Sequence, residues 1–188
     1  MNWTEQRKRK ARRRLARHAA VLLLTVLAAA AVLGLALGSE QVVTDQAMLD
    51  RPPETVWRVL LDLDGMPLWR SDLRSLERLP DQNGRPTWRE IAAGGTRVME
   101  IAAADPPSRL VLRRADAGTP ALPLWTLELV PAARGTRVTL SVRMRVGNPV
   151  WRVYYRLRPP RAALARFLRD LGLRLVAARR EVVNNPRP

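Results

Sequence analysis

Apolar and polar residues follow several different periods along this chain, and the first stretch stands apart from the rest. The first 18 residues are strongly basic, and residues 19–37 after them carry no charge. A helix over this apolar stretch is about 28 Å long, close to the ~30 Å hydrocarbon core of a bilayer. The pattern therefore predicts a basic tail at 1–18 and one transmembrane helix at 19–37.

The next segment predicts a strand followed by two short helices. Residues 41–50 favour a β-strand, and Pro53 with Glu54 suits the first turn of a helix. Apolar residues continue at helical spacing to position 63. After Gly65 a second short helix is expected to carry Trp69.

Six further strands are predicted, because short β-prone runs alternate with turn sequences. They are expected at 73–79, 86–92, 96–103, 109–115, 122–130 and 136–146. The last alternates apolar and polar residues throughout, as a half-buried antiparallel strand does.

The C-terminal part returns to helical periodicity after Pro160. Its apolar stripe consists of Leu164, Phe167, Leu168, Leu171, Leu175 and Ala178, with Asp170 among the residues away from it.

Consecutive strands joined by short turns form an antiparallel sheet, and the C-terminal helix is the element long enough to cover its apolar face. A curved sheet wrapped on a helix leaves room for an apolar pocket. The predicted fold class is therefore α+β.

Several stretches, in this order, resemble bacterial members of a known superfamily. They are RPPETVW at 51–57, PLWRSDL at 67–73, GRPTWRE at 84–90, DPPSRLV at 105–111, WTLEL at 125–129 and GTRVT at 135–139. With the order of elements, they make residues 41–180 similar to the helix-grip fold of the START-like, or SRPBCC, superfamily. Related chains run smoothly from Asn-Pro into the last helix, whereas Pro159 and Pro160 divide that stretch here.

The resemblance implies a cavity for a lipid, sterol, polyketide or similar apolar molecule, in a domain spanning 41–183. It does not imply catalysis, because function depends on the site rather than on the fold. The expected lining of the cavity is aromatic and apolar: Trp69, Trp88, Met99, Trp125, Phe167 and Leu171. Core packing alone also explains these residues.

The distribution of charge indicates how the chain is oriented. The net charge is +16, and eight basic residues precede the apolar segment against Glu5 alone. The positive-inside rule places this tail in the cytoplasm and the domain outside it, at the cell membrane. The arginine excess is compatible with nucleic acid, anionic lipid or a GC-rich genome as its explanation, and a nucleic-acid partner is not expected outside the cytoplasm.

A cleavable signal peptide is the alternative to an anchor. The apolar stretch is longer than the usual 7–15 residues of a signal peptide, which favours an uncleaved helix. However, the sequence Ala36-Leu37-Gly38 is a tolerable cleavage site.

Few residues offer catalytic or metal-binding chemistry. The chain has no cysteine, and its single histidine, His18, lies in the basic tail. Glu90, Glu100 and Glu128 are candidates for buried general acids of raised pKa, but ion pairing with Arg89, Arg97 or Arg113 on the convex face explains them more simply. The sequence therefore predicts no catalytic residue, no metal site and no cofactor.

A segment at 148–158 combines tryptophan, tyrosine and arginine on a short amphipathic helix. This is the composition of a membrane-interface helix, so Trp151, Tyr154 and Tyr155 are predicted to contact the bilayer. An ordinary surface helix is the alternative.

Three functions follow from these patterns. The favoured one is a membrane-tethered, non-catalytic binding module for an apolar small molecule or lipid. A cyclase or dehydrase type of enzyme on the same fold is the second, and an envelope interaction or structural module with a residual cavity is the third.

Overall fold

A computed structural model describes residues 3–82, 84–116 and 121–184 of the chain. The helices are α1 (Trp3–Ala36), α2 (Pro53–Leu61), α3 (Met66–Trp69), α4 (Pro149–Leu157) and α5 (Arg161–Asn184). The strands are β1 (Glu40–Leu49), β2 (Leu73–Gln82), β3 (Arg85–Ala92), β4 (Gly95–Asp105), β5 (Arg109–Arg114), β6 (Ala121–Ala132) and β7 (Gly135–Val146).

All seven strands form one antiparallel sheet in the order β1-β7-β6-β5-β4-β3-β2. The six consecutive strands make a meander, and β1 pairs with β7 along its whole length, from Glu40 opposite Arg145 to Leu49 opposite Thr136. Gly135 has a φ of +117°, and a Cβ there would lie 2.1 Å from the Leu49 carbonyl oxygen. Only glycine therefore fits where β7 begins beside the end of β1.

The C-terminal helix buries the predicted apolar stripe. Leu164, Leu168, Leu171 and Leu175 are all buried, and α5 packs against β1 and α3. Asp170 was expected on the polar side, and this expectation is wrong, because the side chain is 5% exposed. The predicted α+β helix-grip fold is confirmed.

The N-terminal helix α1 is long and apolar enough to cross a membrane, and among the described residues it is the one helix that meets this test, over Arg12–Ala36. Its leucine side chains are exposed, for example Leu22 at 67% and Leu35 at 68%. The Thr25 hydroxyl donates a hydrogen bond back to the Val21 carbonyl, at 2.9 Å. A side chain that bonds to its own helix in this way brings no unsatisfied polar group into an apolar environment.

The chain forms two compact units. One contains α1 and α4, and the other contains the sheet with α2, α3 and α5. The predicted domain of 41–183 includes α4, whereas the structure groups α4 with α1.

Burial along α5 predicts two very different responses to the same substitution. Leu164→Ala removes a fully buried side chain and should lower the free energy of unfolding by about 2–5 kcal/mol. Leu173→Ala, on the same helix at 63% exposure, should change it by less than about 0.5 kcal/mol. Urea denaturation of the full chain in mild detergent measures both, and equal losses would contradict the observed orientation of α5.

Candidate functional site

An apolar cluster lies where α3 meets the sheet. Its buried members come from the segments around α3 and from β2, β3 and β4: Leu63, Met66, Leu73, Trp88, Ala92 and Met99. Trp69 and Trp125 are partly buried and pack against it, as do Leu76, Ile101 and Leu112. Strand alternation explains this composition, because Trp88 and Ala92 point to the same face of β3.

The structure brings most of the predicted pocket residues together. Trp88 and its cross-strand partner Met99 belong to the buried cluster, and Trp69 and Trp125 contact it. Phe167 of α5 meets Trp69 edge to face, with ring centroids 5.6 Å apart. The sixth residue, Leu171, is fully buried one helical turn further along α5. Their role in binding a ligand stays a prediction.

One polar atom in this region lacks a partner. The indole nitrogen of Trp69 is buried and has no hydrogen-bond acceptor in the part of the chain that the structure describes. Buried indole N–H groups normally find an acceptor, since leaving a donor unpaired costs about 1–3 kcal/mol. The orphaned donor beside Phe167 is therefore a feature that core packing does not explain.

Next to the aromatic residues lies a buried ionic network. Glu90 accepts hydrogen bonds from Arg70 Nη1 at 2.7 Å, from Arg97 Nε at 2.6 Å and from the indole nitrogen of Trp88 at 3.1 Å. Both arginines also donate to Asp72, at 3.0 Å each. The two guanidinium charges balance the two carboxylate charges, so the network has no net charge.

The pairing keeps both carboxylates ionised. Burial alone would raise the pKa of Glu90, but the charges of Arg70 and Arg97 and the hydrogen bonds from Arg70 and Trp88 outweigh it and lower this pKa. The pKa of Asp72 is lowered in the same way, since hydrogen bonds and charge from the two arginines exceed the effect of burial. A general acid of raised pKa is therefore not found at Glu90.

Two further contacts fix this site to the helices. Asp170 of α5 accepts hydrogen bonds from the backbone N–H and the hydroxyl of Ser71, at 2.9 and 2.6 Å. The Arg70 guanidinium lies 5.6 Å from the centre of the Phe167 ring, within range of a cation–π contact. The turn after α3 is thus held by α5 on one side and by Glu90 on the other.

Glu100 and Glu128, the other two candidate general acids, lie outside this network. Glu100 is buried on the opposite face of the sheet and pairs with Arg85 and Arg113, as the simpler sequence interpretation expected for Arg113. Glu128 is exposed. Glu90 does pair with Arg97, but it shares a face with Trp88 rather than lying on the convex side.

Sequence reasoning missed Arg70, Asp72 and Asp170. The sequence does indicate that the Glu90 side chain is buried. Trp88 and Ala92 flank it at two-residue spacing, which places all three side chains on one face of the strand. A carboxylate at such a position requires a cation, and Arg97 is opposite it in the neighbouring strand. Nothing in the periodicity points to Arg70 or Asp170.

The predicted interface residues belong to the other compact unit. Trp151, Tyr154 and Tyr155 form an aromatic group on α4, with ring centroids 5.3–6.1 Å apart. Trp151 and Tyr154 are 41% and 46% exposed. The predicted helix over this segment is confirmed, and its contact with a membrane stays a prediction.

The antiparallel sheet, the long C-terminal helix and the apolar cluster beside it define a helix-grip protein of the START-like type. The sequence identifies the family within this fold type. Residues 40–181 match the model of the polyketide cyclase / dehydrase and lipid transport family, and the chain belongs to that family. A search of curated proteins gave no significant match.

Solved structures share the fold at low sequence identity. TTHA0849 from Thermus thermophilus superposes with a TM-score of 0.60 at 22% identity, over 73% of this chain and 99% of that one. The Zhui aromatase/cyclase from Streptomyces sp. R1128 superposes with a TM-score of 0.61 at 17% identity, over 76% of this chain and 96% of that one. The di-domain aromatase/cyclase StfQ of the steffimycin biosynthetic pathway gives 0.59 at 12% identity, over 71% and 50%. At these identities the likeness establishes the fold alone.

The ionic network predicts a specific acid sensitivity. Glu90→Gln leaves the buried Arg70 short of one counter-charge, so the free energy of unfolding at pH 7 should fall by about 3–5 kcal/mol. Because folding lowers the pKa of Glu90, its stabilisation is present above the ordinary value of 4.5 and is lost as the pH falls further. The variant should therefore lose less stability than the wild type between pH 5 and pH 3.

Glu77→Gln is the matched control, because the Glu77–Arg89 pair is exposed. Its effect at pH 7 should be below about 1 kcal/mol. Urea titrations across this pH range measure both variants. An unchanged acid slope in Glu90→Gln would show that Glu90 is not the titrating group.

Proposed function

We propose that the protein is a membrane-tethered binding module for an apolar small molecule or lipid, and that it has no catalytic role. The ligand binds beside the apolar cluster, against Trp69, Trp88, Met99, Trp125, Phe167 and Leu171. The family to which the chain belongs is described by lipid transport as well as by cyclase and dehydrase activity, so binding without reaction is within its range.

The observation that carries this proposal is the orphaned indole N–H of Trp69. It lies beside Phe167 and among apolar side chains, and none of the described protein groups accepts a hydrogen bond from it. An apolar ligand with one oxygen acceptor, such as a hydroxyl or carbonyl, supplies this hydrogen bond. Pockets for small molecules commonly combine an apolar wall with a few such polar groups.

The state of the charged residues argues against acid–base catalysis. Glu90 and Asp72 are held as anions by Arg70 and Arg97, whereas a general acid must carry a proton at the working pH. Their lowered pKa values also make them weak bases. In the described part of the chain, no group of three or more His, Asp and Glu side chains is arranged to hold a metal ion.

Ligand binding can be tested at the Trp69 nitrogen. Trp69→Phe keeps an aromatic ring and removes the donor, so it should weaken binding of a pyrene-labelled long-chain alcohol about 2–10-fold, the value of one hydrogen bond. Binding of the pyrene-labelled alkane of the same length, which has no acceptor, should change less. Fluorescence titration of the detergent-solubilised full chain measures both affinities.

Trp57→Phe is the control, since Trp57 is a buried tryptophan of α2 that does not belong to the cluster. It should leave both affinities unchanged. If Trp69→Phe weakens binding of the alcohol and of the alkane equally, the indole nitrogen of Trp69 does not donate to the ligand. Failure of the wild type to bind either probe would instead favour a structural module.

The proposed tether is supported by α1. Its apolar side chains are exposed over a length sufficient for a bilayer, and large exposed apolar surfaces are unfavourable in water. The basic residues before it favour a cytoplasmic N-terminus. We therefore assign the basic tail to the cytoplasm and the sheet domain to the outer side of the cell membrane.

Protease accessibility tests this orientation. In cells stripped of any outer barrier, added protease should degrade residues 41–188 and spare the tail at 1–18. Lysed cells provide the control, in which both parts are digested. Protection of the C-terminal domain in intact cells would reverse the orientation, and a mature chain beginning at Ser39 would show that α1 is a cleaved signal peptide.

A further inference from the structure

Helix α4 makes an unusually close contact with the last turns of α1. A Cβ placed on Gly34 would lie 2.0 Å from the carbonyl oxygen of Pro149, the first residue of α4. Contacts this short do not occur between real atoms, so the two backbones approach each other only because position 34 is glycine. The packing of α4 on α1 is therefore specific to this position.

One guanidinium completes the contact. Arg152 donates hydrogen bonds to the carbonyl oxygens of Gly34 and Leu37, at 3.3 and 3.2 Å, where α1 ends. It also donates to the carbonyls of Val146 and Gly147, at 2.9 and 3.0 Å, just before α4.

The end of α1 needs such a partner. The last four carbonyl groups of a helix have no partner inside it, and a positive charge there is favourable. The last turn of α1 contains no basic residue of its own. Arg152 therefore caps α1 and fixes α4 beside it at the same time.

The side of α4 turned away from this contact is apolar and aromatic. Trp151, Tyr154 and Leu157 recur every third residue and are 41%, 46% and 77% exposed. Trp151 and Tyr154 pack edge to face, which stiffens this surface. Arg156 on the same helix is exposed as well. Exposed tryptophan and tyrosine next to arginine suit the boundary between lipid headgroups and acyl chains.

The position of α4 along α1 matches this composition. Gly34 is three residues before the end of the apolar segment at 37, a distance of about 4.5 Å in a helix. A helix fixed there lies at the level where a spanning α1 leaves the hydrocarbon core. Depth and surface chemistry are independent features, and both indicate the membrane interface.

We propose that α4 is an interfacial helix. Its face of Trp151, Tyr154 and Leu157 lies in the headgroup region of the bilayer that α1 spans, and Arg152 sets its depth by capping α1. This inference rests on the proposed membrane tether. It adds a second contact with the same bilayer, made by the segment that precedes the long helix of the ligand-binding domain.

The absence of cysteine from the chain allows site-specific probes. Single variants Leu157→Cys, Val26→Cys and Leu173→Cys carry an environment-sensitive fluorophore in the full chain, reconstituted in liposomes of phosphatidylcholine and phosphatidylglycerol. All three positions are exposed: Leu157 on α4, Val26 in the middle of α1 and Leu173 on α5. Lipids with a nitroxide near the headgroup or deep in the acyl chain report depth, and iodide reports access from water.

We expect three different responses. The label at 157 should be quenched most by the shallow nitroxide, the label at 26 by the deep nitroxide, and the label at 173 by iodide. If the label at 157 is quenched by iodide, as the label at 173 is, while the label at 26 is quenched by the deep nitroxide, the interfacial helix is refuted and the tether stands. If 26 is also quenched by iodide, the tether itself is refuted. If 157 is reached by neither quencher, the face of α4 is covered by protein, which also refutes the proposal.

The role of Arg152 is tested in the Leu157→Cys background. Arg152→Gln removes the charge and most of the donors, so quenching by the shallow nitroxide should fall at least about twofold, while circular dichroism reports whether the domain remains folded. Arg152→Lys should give an intermediate result, because it retains the charge but reaches fewer carbonyls. Arg158→Gln, an exposed position after α4, is the control and should retain most of the quenching. Unchanged quenching in Arg152→Gln would refute the capping role, and so would a loss that Arg158→Gln matches.

Discussion

The carboxylate of Glu90, buried between two guanidinium groups, is the interaction on which the arrangement of the candidate site depends. A carboxylate at 2% exposure requires compensation by charge and hydrogen bonds. Arg97 provides it from the neighbouring strand, and Arg70 provides it from the turn after α3. Because these ion pairs fix the position of Arg70, they also fix the position of Trp69, the residue just before it. Asp170 then attaches the same turn to α5 through Ser71. A few polar contacts thus set the spacing between the sheet, α3 and α5.

This arrangement separates the polar groups of the scaffold from those available to a ligand. The four charged side chains of the network bond to one another, so an apolar molecule beside them meets no unbalanced charge. In the proposed binding mode its contacts are with aromatic surface and with the Trp69 indole N–H, which has no acceptor in the described part of the chain. Binding through such a wall depends mainly on shape and apolar area, and one hydrogen bond orients the ligand without contributing most of the affinity. These features are the grounds on which we propose a carrier of apolar molecules rather than an enzyme that must protonate its substrate.

The sequence predicted what depends on local periodicity and missed what depends on long-range contacts. Alternation and turn residues located all seven strands, and the leucine stripe at 164, 168, 171 and 175 located the buried face of α5. Asp170 was assigned to the polar face because periodicity cannot foresee that Ser71, 99 positions earlier in the chain, lies against it. Gly34 likewise reads as one more small residue of an apolar segment, and its contact with Pro149 is visible only in three dimensions.

The contact between α1 and α4 also bears on whether α1 is retained. Cleavage after Gly38 would remove the carbonyls of Gly34 and Leu37 from Arg152, leaving those of Val146 and Gly147 among the acceptors described above. A hydrogen bond to a charged group contributes about 1.5–3 kcal/mol, so two lost bonds are a substantial cost for a nine-residue helix. Cleavage would also uncover the side of α4 that packs on Gly34, while the opposite side already exposes Trp151 and Tyr154. A short helix with neither side supported is unstable in water. The geometry of α4 therefore fits an uncleaved α1, which packs against a helix more than 100 residues later in the chain.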